Sequence, residues 1–204
     1  MRFSRRPQTT LTRSVVVAGA GLLLGILTLV GQAVLPTGWD RLANSGAVWL
    51  LVASLAGSFM PTNRWAVVAG VGVLVGAVIG YYAAAVVAGA AAGAAIMAIW
   101  IGTALVGGPV YGLVGRWWRT ETGARRILAI ALMGGIVAGE GVSTLLRIPE
   151  LARVGWVEVI AGLGLTIALG RSARERMLAL ALVPVVVLAV VVAYEIIDRV
   201  IAAR

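Results

Sequence analysis

Seven long apolar runs, each close to the length of a bilayer-crossing helix, follow one another along this chain. A helix rises about 1.5 Å per residue, so roughly 17–25 apolar residues cross the hydrocarbon core. Helices suit such runs because every backbone polar group in lipid must be bonded within the protein. The predicted spans are residues 14–35, 42–60, 65–87, 94–115, 127–146, 154–170 and 177–194. We therefore predict an all-α transmembrane helical bundle, with residues 1–204 as a single integral membrane domain.

The composition agrees with this class and excludes several kinds of chemistry. Hydrophobic residues make up 61% of the chain and charged residues only 12%, which favours an integral membrane protein. All 17 basic residues are arginine, and the chain has no Lys, His or Cys. Schiff-base lysines, histidine bases, haem-ligating histidines, thiol nucleophiles and Cys/His zinc sites are therefore unavailable. We expect no cofactor, no metal and no enzymatic activity.

The distribution of arginine predicts the orientation of the bundle. Seven spans place the termini on opposite sides, and cytoplasmic loops of membrane proteins carry an excess of basic residues. Twelve arginines fall on the side of the N-terminus and five on the other side. The N-terminus is therefore predicted to be cytoplasmic and the C-terminus external. The first run is longer than the ~7–15 residues of a signal-peptide core, so we interpret it as an uncleaved span.

Two glutamates inside predicted spans are the strongest functional signal. Glu140 and Glu158 lie in spans 5 and 6, where an acidic residue costs about 3 kcal/mol at the helix centre. Such groups face a protein interior, a partner or a water-filled cavity. Ser143, Thr144 and Arg147 follow Glu140 at helical spacing, which predicts one polar face. Glu140 is expected to pair with Arg147, or with Arg41 or Arg153 from the loops.

The depth of the polar and aromatic residues predicts a pocket near the external face. Counted at about 1.5 Å per residue, several spans place polar groups or large aromatic rings within about 10 Å of their external ends. Aromatic rings at that depth lie below the usual interfacial belt. The predicted ligand-binding residues are Asn44, Trp49, Tyr81, Tyr82, Trp100, Glu140, Ser143 and Glu158. The alternative is that the glutamates and aromatic residues only hold the bundle together.

Glycine-rich faces offer a second interpretation. Small residues four apart let helices approach closely in lipid, where no hydrophobic force drives association. Such pairs occur in spans 1, 3, 4 and 5, at Gly21/Gly25, Gly72/Gly76/Gly80, Gly108/Gly112 and Gly135/Gly139. These faces suit packing within the bundle or, alternatively, docking onto a membrane protein partner or a second copy of the chain.

Several segments together resemble a known family. They are LANSGAVW at 42–49, GYY at 80–82, GPVYG at 108–112, WWR at 117–119, EG at 140–141, and Trp156 with Glu158. The chain resembles an uncharacterised family of small bacterial polytopic membrane proteins, a domain of unknown function, over roughly residues 15–170. The resemblance implies a bacterial inner-membrane protein and no particular activity. In size and composition the chain is also similar to substrate-capture subunits of vitamin uptake transporters, which usually have six spans.

The leading functional hypothesis is a small-solute binding or transport protein with an outward-facing intramembrane pocket. Paired carboxylates and aromatic faces suit a cationic or amine solute. The alternative is a non-catalytic accessory subunit that docks on a membrane partner through its glycine-rich faces. In both cases the expected surroundings are the lipid bilayer of the cell membrane, crossed several times, and not nucleic acid, because topology accounts for the net charge of +9.

Overall fold

The computed structural model describes residues 8–90 and 93–202, and within them the chain is helical with no β-strand. The α-helices are α1 Gln8–Val34, α2 Asp40–Ala43, α3 Gly46–Ser58, α4 Asn63–Val87, α5 Ala94–Thr120, α6 Ala124–Arg147, α7 Ala152–Leu169 and α8 Ala173–Ala202. A short 3₁₀ helix, Pro149–Leu151, precedes α7. The prediction of an all-α helical bundle is confirmed.

Six helices are long and apolar enough to cross a membrane, namely α1, α4, α5, α6, α7 and α8. The second predicted span, residues 42–60, differs because it breaks into α2 and α3 around Asn44 and Ser45. Helix α3 has 13 residues, a length of about 20 Å, whereas the hydrocarbon core is about 30 Å thick. The start of α3 therefore lies inside the bundle, below the ends of the long helices.

Local sequence explains this break. Ser45 has an extended backbone and its hydroxyl accepts a hydrogen bond from the backbone N–H of Val48 at 3.2 Å. This is an N-cap, which favours beginning a new helix at Gly46 over continuing the preceding turn. Hydropathy alone did not reveal the interruption, because the surrounding residues remain apolar.

Helix α6 is the centre of the bundle. It packs against α7, α8, α5 and the short α3, while α4 and α5 pack together and α1 lies on α4. Its fully or nearly fully buried residues include Ile127, Ile130, Met133 and Ile136. Most side chains of α6 are therefore buried between neighbouring helices, and one of them is Glu140.

The glycine faces are used inside the chain. A Cβ atom added at Gly57 of α3 would lie 2.0 Å from the carbonyl oxygen of Gly112 in α5, so the two backbones touch. Gly25 of α1 is equally close to α4, since an added Cβ would lie 2.1 Å from the carbonyl oxygen of Ala77. Gly139 of α6 packs against Val190 of α8. These contacts agree with the bundle-packing interpretation of the glycine pairs.

The helix ends divide the described residues into two groups. The arginine-rich end contains the α3–α4, α5–α6 and α7–α8 connections; the opposite end, here called the cavity end, contains α2, the start of α3 and the α6–α7 connection. At the arginine-rich end, Arg116 donates to Asn63 Oδ1 at 3.0 Å and to the carbonyl of Met60. Arg116 therefore links the end of α5 to the α3–α4 connection by hydrogen bonds, in addition to contributing positive charge at this end.

Candidate functional site

The break before α3 creates a site for a carboxylate, and Glu140 fills it. One oxygen of Glu140 accepts hydrogen bonds from Ser45 Oγ at 2.7 Å and from the Ala47 N–H at 2.8 Å. The other oxygen accepts one from the Gly46 N–H at 3.2 Å. Glu140 is only 8% exposed. The carboxylate of α6 therefore caps the N-terminus of α3 from the side.

Physical chemistry favours this arrangement. The first N–H groups of a helix have no partner within the helix, and the aligned peptide dipoles place partial positive charge there. A carboxylate satisfies both requirements, in the way that helix N-termini bind anions. Three donors directed at one buried carboxylate stabilise its position. Glu140 thus acts mainly as part of the framework of the site.

Glu158 has a different environment. It lies on α7, is 6% exposed, and accepts one hydrogen bond, from Thr144 Oγ1 at 3.3 Å. Among the residues that the structure describes, neither Glu158 nor Glu140 forms an ion pair. Glu158 is therefore a deeply placed carboxylate with spare hydrogen-bonding capacity.

The predicted pairing of Glu140 with Arg147 is wrong. Arg147 forms an ion pair with Asp198 of α8, and its guanidinium lies 5.0 Å from the centre of the Tyr194 ring. Arg147 is two helical turns beyond Glu140, at the end of α6, where an exposed carboxylate is a cheaper partner than a buried one. Glu140 instead uses the backbone donors of α3, which the sequence did not reveal.

Both glutamates border a cavity of about 440 Å³, here called the polar cavity. Its lining residues are Gln32, Asp40, Arg41, Asn44, Gly46, Trp49, Val78, Tyr81, Tyr82, Ile96, Trp100, Glu140, Glu158 and Tyr194. Seven of the eight residues proposed from sequence are in this set. The structure thus brings together residues from all eight described α-helices at the cavity end.

Ser143 is the exception. It is buried, its hydroxyl has no hydrogen-bond partner, and it does not line the polar cavity. Gly139, one turn before it, packs against Val190, so Ser143 lies on the face of α6 that is directed toward α8. Thr144 turns instead toward α7 and reaches Glu158. Helical spacing alone placed both residues on one face and could not separate them.

The aromatic residues of the cavity are held in defined positions. The Trp49 indole N–H donates to Thr28 Oγ1 at 3.0 Å, which ties α3 to α1. The rings of Tyr81 and Tyr82 meet edge to face, with centroids 5.3 Å apart. Such geometry is typical of favourable aromatic pairs. The cavity therefore offers aromatic surface that needs little rearrangement to contact a ligand.

Sequence reasoning did not select Tyr194. It stands at the last position of the predicted seventh span, residues 177–194, next to Glu195. Helix α8 continues to Ala202, so Tyr194 lies well within it and reaches the polar cavity. An added Cβ at Gly46 would lie 3.0 Å from the Tyr194 hydroxyl, which shows how closely this ring approaches the start of α3. The only sequence signal was a lone tyrosine among aliphatic residues.

A second residue that the sequence did not single out is Arg126, at the arginine-rich end. It was counted as a loop charge, yet it is 1% exposed. Its guanidinium donates to the carbonyl of Leu169 at 2.8 Å and to that of Trp118, and it pairs with Glu175 at 3.4 Å. These carbonyls belong to the last turns of α5 and α7, which lack partners within their own helices. Arg126 therefore joins four helices.

Across residues 8–90 and 93–202, no three His, Cys, Asp or Glu side chains are grouped as a metal site requires. The polar cavity contains the carboxylates of two glutamates and Asp40, the guanidinium of Arg41, amides and aromatic rings.

Within the described residues, six helices that can span a membrane enclose a partly polar cavity, and this arrangement defines a multi-pass membrane protein with an internal cavity. The chain belongs to the DUF6518 family, a family of unknown function, whose model matches residues 4–199. The match covers more of the chain than the resemblance over residues 15–170 had indicated. No curated protein matches the chain. No solved structure matches it either, so the similarity to substrate-capture subunits remains a prediction from size and composition.

Proposed function

We propose that this protein binds, and carries across the membrane, a small cationic or amine solute that enters the polar cavity. The observation that carries the proposal is Glu158, a buried carboxylate that borders the cavity, forms no ion pair within the described residues and accepts one hydrogen bond. A charged group inside a membrane protein is costly unless it is paired or used. A ligand ammonium would provide the missing partner.

The remaining lining residues fit the same ligand class. The faces of Trp100, Tyr81 and Tyr82 attract organic cations, most strongly where water is excluded. Asn44 and Gln32 supply amide groups, and the Oε1 atom of Gln32 is buried with no hydrogen-bond partner among the residues that the structure describes. Polar groups of this kind orient a ligand inside a largely apolar pocket.

Replacing Glu158 is the direct test of this proposal. Glu158→Gln keeps the shape of the side chain and removes its charge, so we expect binding of a cation to weaken about 10- to 100-fold, since a charged hydrogen bond contributes about 1.5–3 kcal/mol. The measurement is calorimetric titration of the purified protein with tetramethylammonium, choline and butylammonium. Native mass spectrometry of protein extracted from its own membrane would identify the natural solute.

The matched control is Glu150→Gln, because Glu150 is an exposed glutamate at the same end of the molecule. We expect this variant to bind as the unaltered protein does. Equal affinity of the Glu158→Gln and unaltered proteins for every cation that binds would refute the role of Glu158.

The proposed orientation places the polar cavity on the outer side of a bacterial inner membrane. Arginine counts support it, because most arginines lie at the end away from the cavity. The chain has no cysteine, so single cysteines report position without background. We expect Glu150→Cys to react with an impermeant maleimide in intact cells and Thr122→Cys to react only after the membrane is opened. Labelling of Thr122→Cys but not Glu150→Cys in intact cells would contradict the proposed orientation and indicate the reverse one.

The docking hypothesis is less well supported. The glycine pairs that motivated it contact other helices of the same chain, as at Gly21 against Val73 and Gly135 against Val186. These faces are therefore occupied within the described bundle. A binding protein with its own internal cavity is the function that the geometry favours.

A further inference from the structure

An apolar space of about 500 Å³ adjoins the polar cavity, and we call it the apolar groove. Helix α5 contributes Trp100, Thr103, Ala104, Gly107 and Tyr111, and α8 contributes Val185, Val186, Ala189, Val190, Ala193, Tyr194 and Ile197. Leu128, Leu132 and Ile136 of α6 lie between these two helices, and the remaining lining residues are Gly46, Trp49, Leu50, Leu74 and Val78. No charged side chain is in this set.

The groove and the polar cavity share a wall. Five residues line both spaces, namely Gly46, Trp49, Val78, Trp100 and Tyr194. The two spaces are therefore neighbours at the level of the start of α3. Glu158 and Glu140 lie in the polar cavity, on one side of these shared residues. Aliphatic side chains border the groove on the other side.

The groove also borders the side of the bundle. Helices α5 and α8 both pack against α6, and the groove lies between them. Val185, Ala189 and Ala193 of α8 line the groove and are exposed at the surface of the protein. In a membrane, this surface faces the hydrocarbon core. The groove is therefore exposed to the apolar chains of the bilayer and adjoins the polar cavity.

We infer that the ligand is a single-chain amphiphile, whose ammonium head lies against Glu158 and whose alkyl chain occupies the apolar groove. The inference rests on the proposed function and narrows its ligand class. Charge complementarity selects the head, because the polar cavity contains three carboxylates and one guanidinium. Most of the groove is lined by apolar groups, which favours an alkyl chain as its occupant.

The test compares a short and a long amine on the full-length protein in amphipol. Butylammonium fits the polar cavity alone, whereas octylammonium also reaches the groove. Each buried methylene tightens binding up to about fourfold relative to water, so we expect octylammonium to bind at least about tenfold more tightly. Glu158→Gln is expected to weaken both amines.

Variants that fill the groove test the contact of the alkyl chain separately from the contact of the ammonium head. Ala189→Trp and Ala193→Trp each place a large ring in the groove, at exposed positions that tolerate volume. We expect either variant to lower the affinity for octylammonium by a larger factor than the affinity for butylammonium. Ala181→Trp, at an exposed position of the same helix outside both spaces, is the matched control.

The outcomes distinguish the two proposals. Equal affinity for the two amines in the unaltered protein, with loss of both in Glu158→Gln, overturns the amphiphile and retains the small-cation function. Equal loss of both amines in both groove variants also overturns the assignment of the chain to the groove. Failure of both amines to bind overturns the inference and the proposed function together.

Discussion

Replacing Glu140 with alanine is expected to lower the free energy of unfolding by about 3–5 kcal/mol. The change leaves the Ser45 hydroxyl and the N–H groups of Gly46 and Ala47 without their acceptor. Each buried donor left unpaired costs about 1–3 kcal/mol. The loss of charge opposite the start of α3 also removes a favourable interaction with the helix dipole. Thermal and denaturant unfolding in a fixed detergent would measure the effect.

A series of substitutions at Glu140 distinguishes the loss of helix capping from the loss of side-chain packing. Glu140→Gln retains one acceptor oxygen and is expected to cost about 1–3 kcal/mol, less than Glu140→Ala. Glu150→Gln, exposed at the same end, should change stability by no more than about 0.5 kcal/mol. If Glu140→Ala proved as stable as Glu150→Gln, the N-terminus of α3 would not depend on this carboxylate.

This expectation changes how functional data on the two glutamates should be interpreted. Loss of binding in a Glu140 variant would follow from disturbance of α3, which carries Trp49 and Gly46 into the polar cavity. Glu158 contacts only Thr144 by hydrogen bond among the described residues, so its replacement should affect the ligand more than the fold. Glu158 is therefore the better position for functional tests.

Arg126→Ala is expected to destabilise the protein by a similar amount, about 3–5 kcal/mol. Removal of one partner from a buried charged network leaves the other groups unpaired in a low-dielectric environment. The Trp118 carbonyl loses its side-chain donor. The Leu169 carbonyl keeps only the Trp118 indole N–H at 3.4 Å, and Glu175 keeps the Arg171 N–H but loses its buried cation. The measurement is the shift in the unfolding midpoint, at the same detergent concentration as for the Glu140 series.

Neighbouring arginines provide the controls. Arg125 pairs with Glu121 at 3.5 Å, and its side chain is 64% exposed, so Arg125→Ala should cost no more than about 0.5 kcal/mol. Arg126→Lys keeps the charge but loses the planar fork that reaches two carbonyls at once, so we expect an intermediate loss. An equal effect of alanine at positions 125 and 126 would contradict the assigned role of Arg126.

Glu140 and Arg126, near opposite ends of α6, each bond backbone groups that lack a partner at the end of a neighbouring helix. Helix α3 begins inside the bundle and exposes N–H groups, which a carboxylate satisfies. Helices α5 and α7 end near Arg126 and expose carbonyl groups, which a guanidinium satisfies. In each case the charge complements the sign of the helix dipole.

Most residues that the sequence grouped by depth border one cavity, because depth along a helix follows from chain geometry. Trp49, Trp100 and Glu158 were assigned to one level of the membrane by counting residues from predicted helix ends, and all three border the polar cavity. The count does not depend on which helices are neighbours. It failed for Ser143 and missed Tyr194, because the direction of a side chain around its helix depends on packing.

The amino-acid sequence by itself determined the helical membrane-spanning class, most span positions and the depth of the polar residues. Local composition and the fixed rise of a helix govern these properties. Only the tertiary structure decided that α3 begins at Gly46 within the bundle, that Glu140 caps it, and that Arg126 is buried. The physical reason is that a buried polar group selects its partners from neighbouring helices, and sequence spacing does not specify how those helices are rotated and arranged.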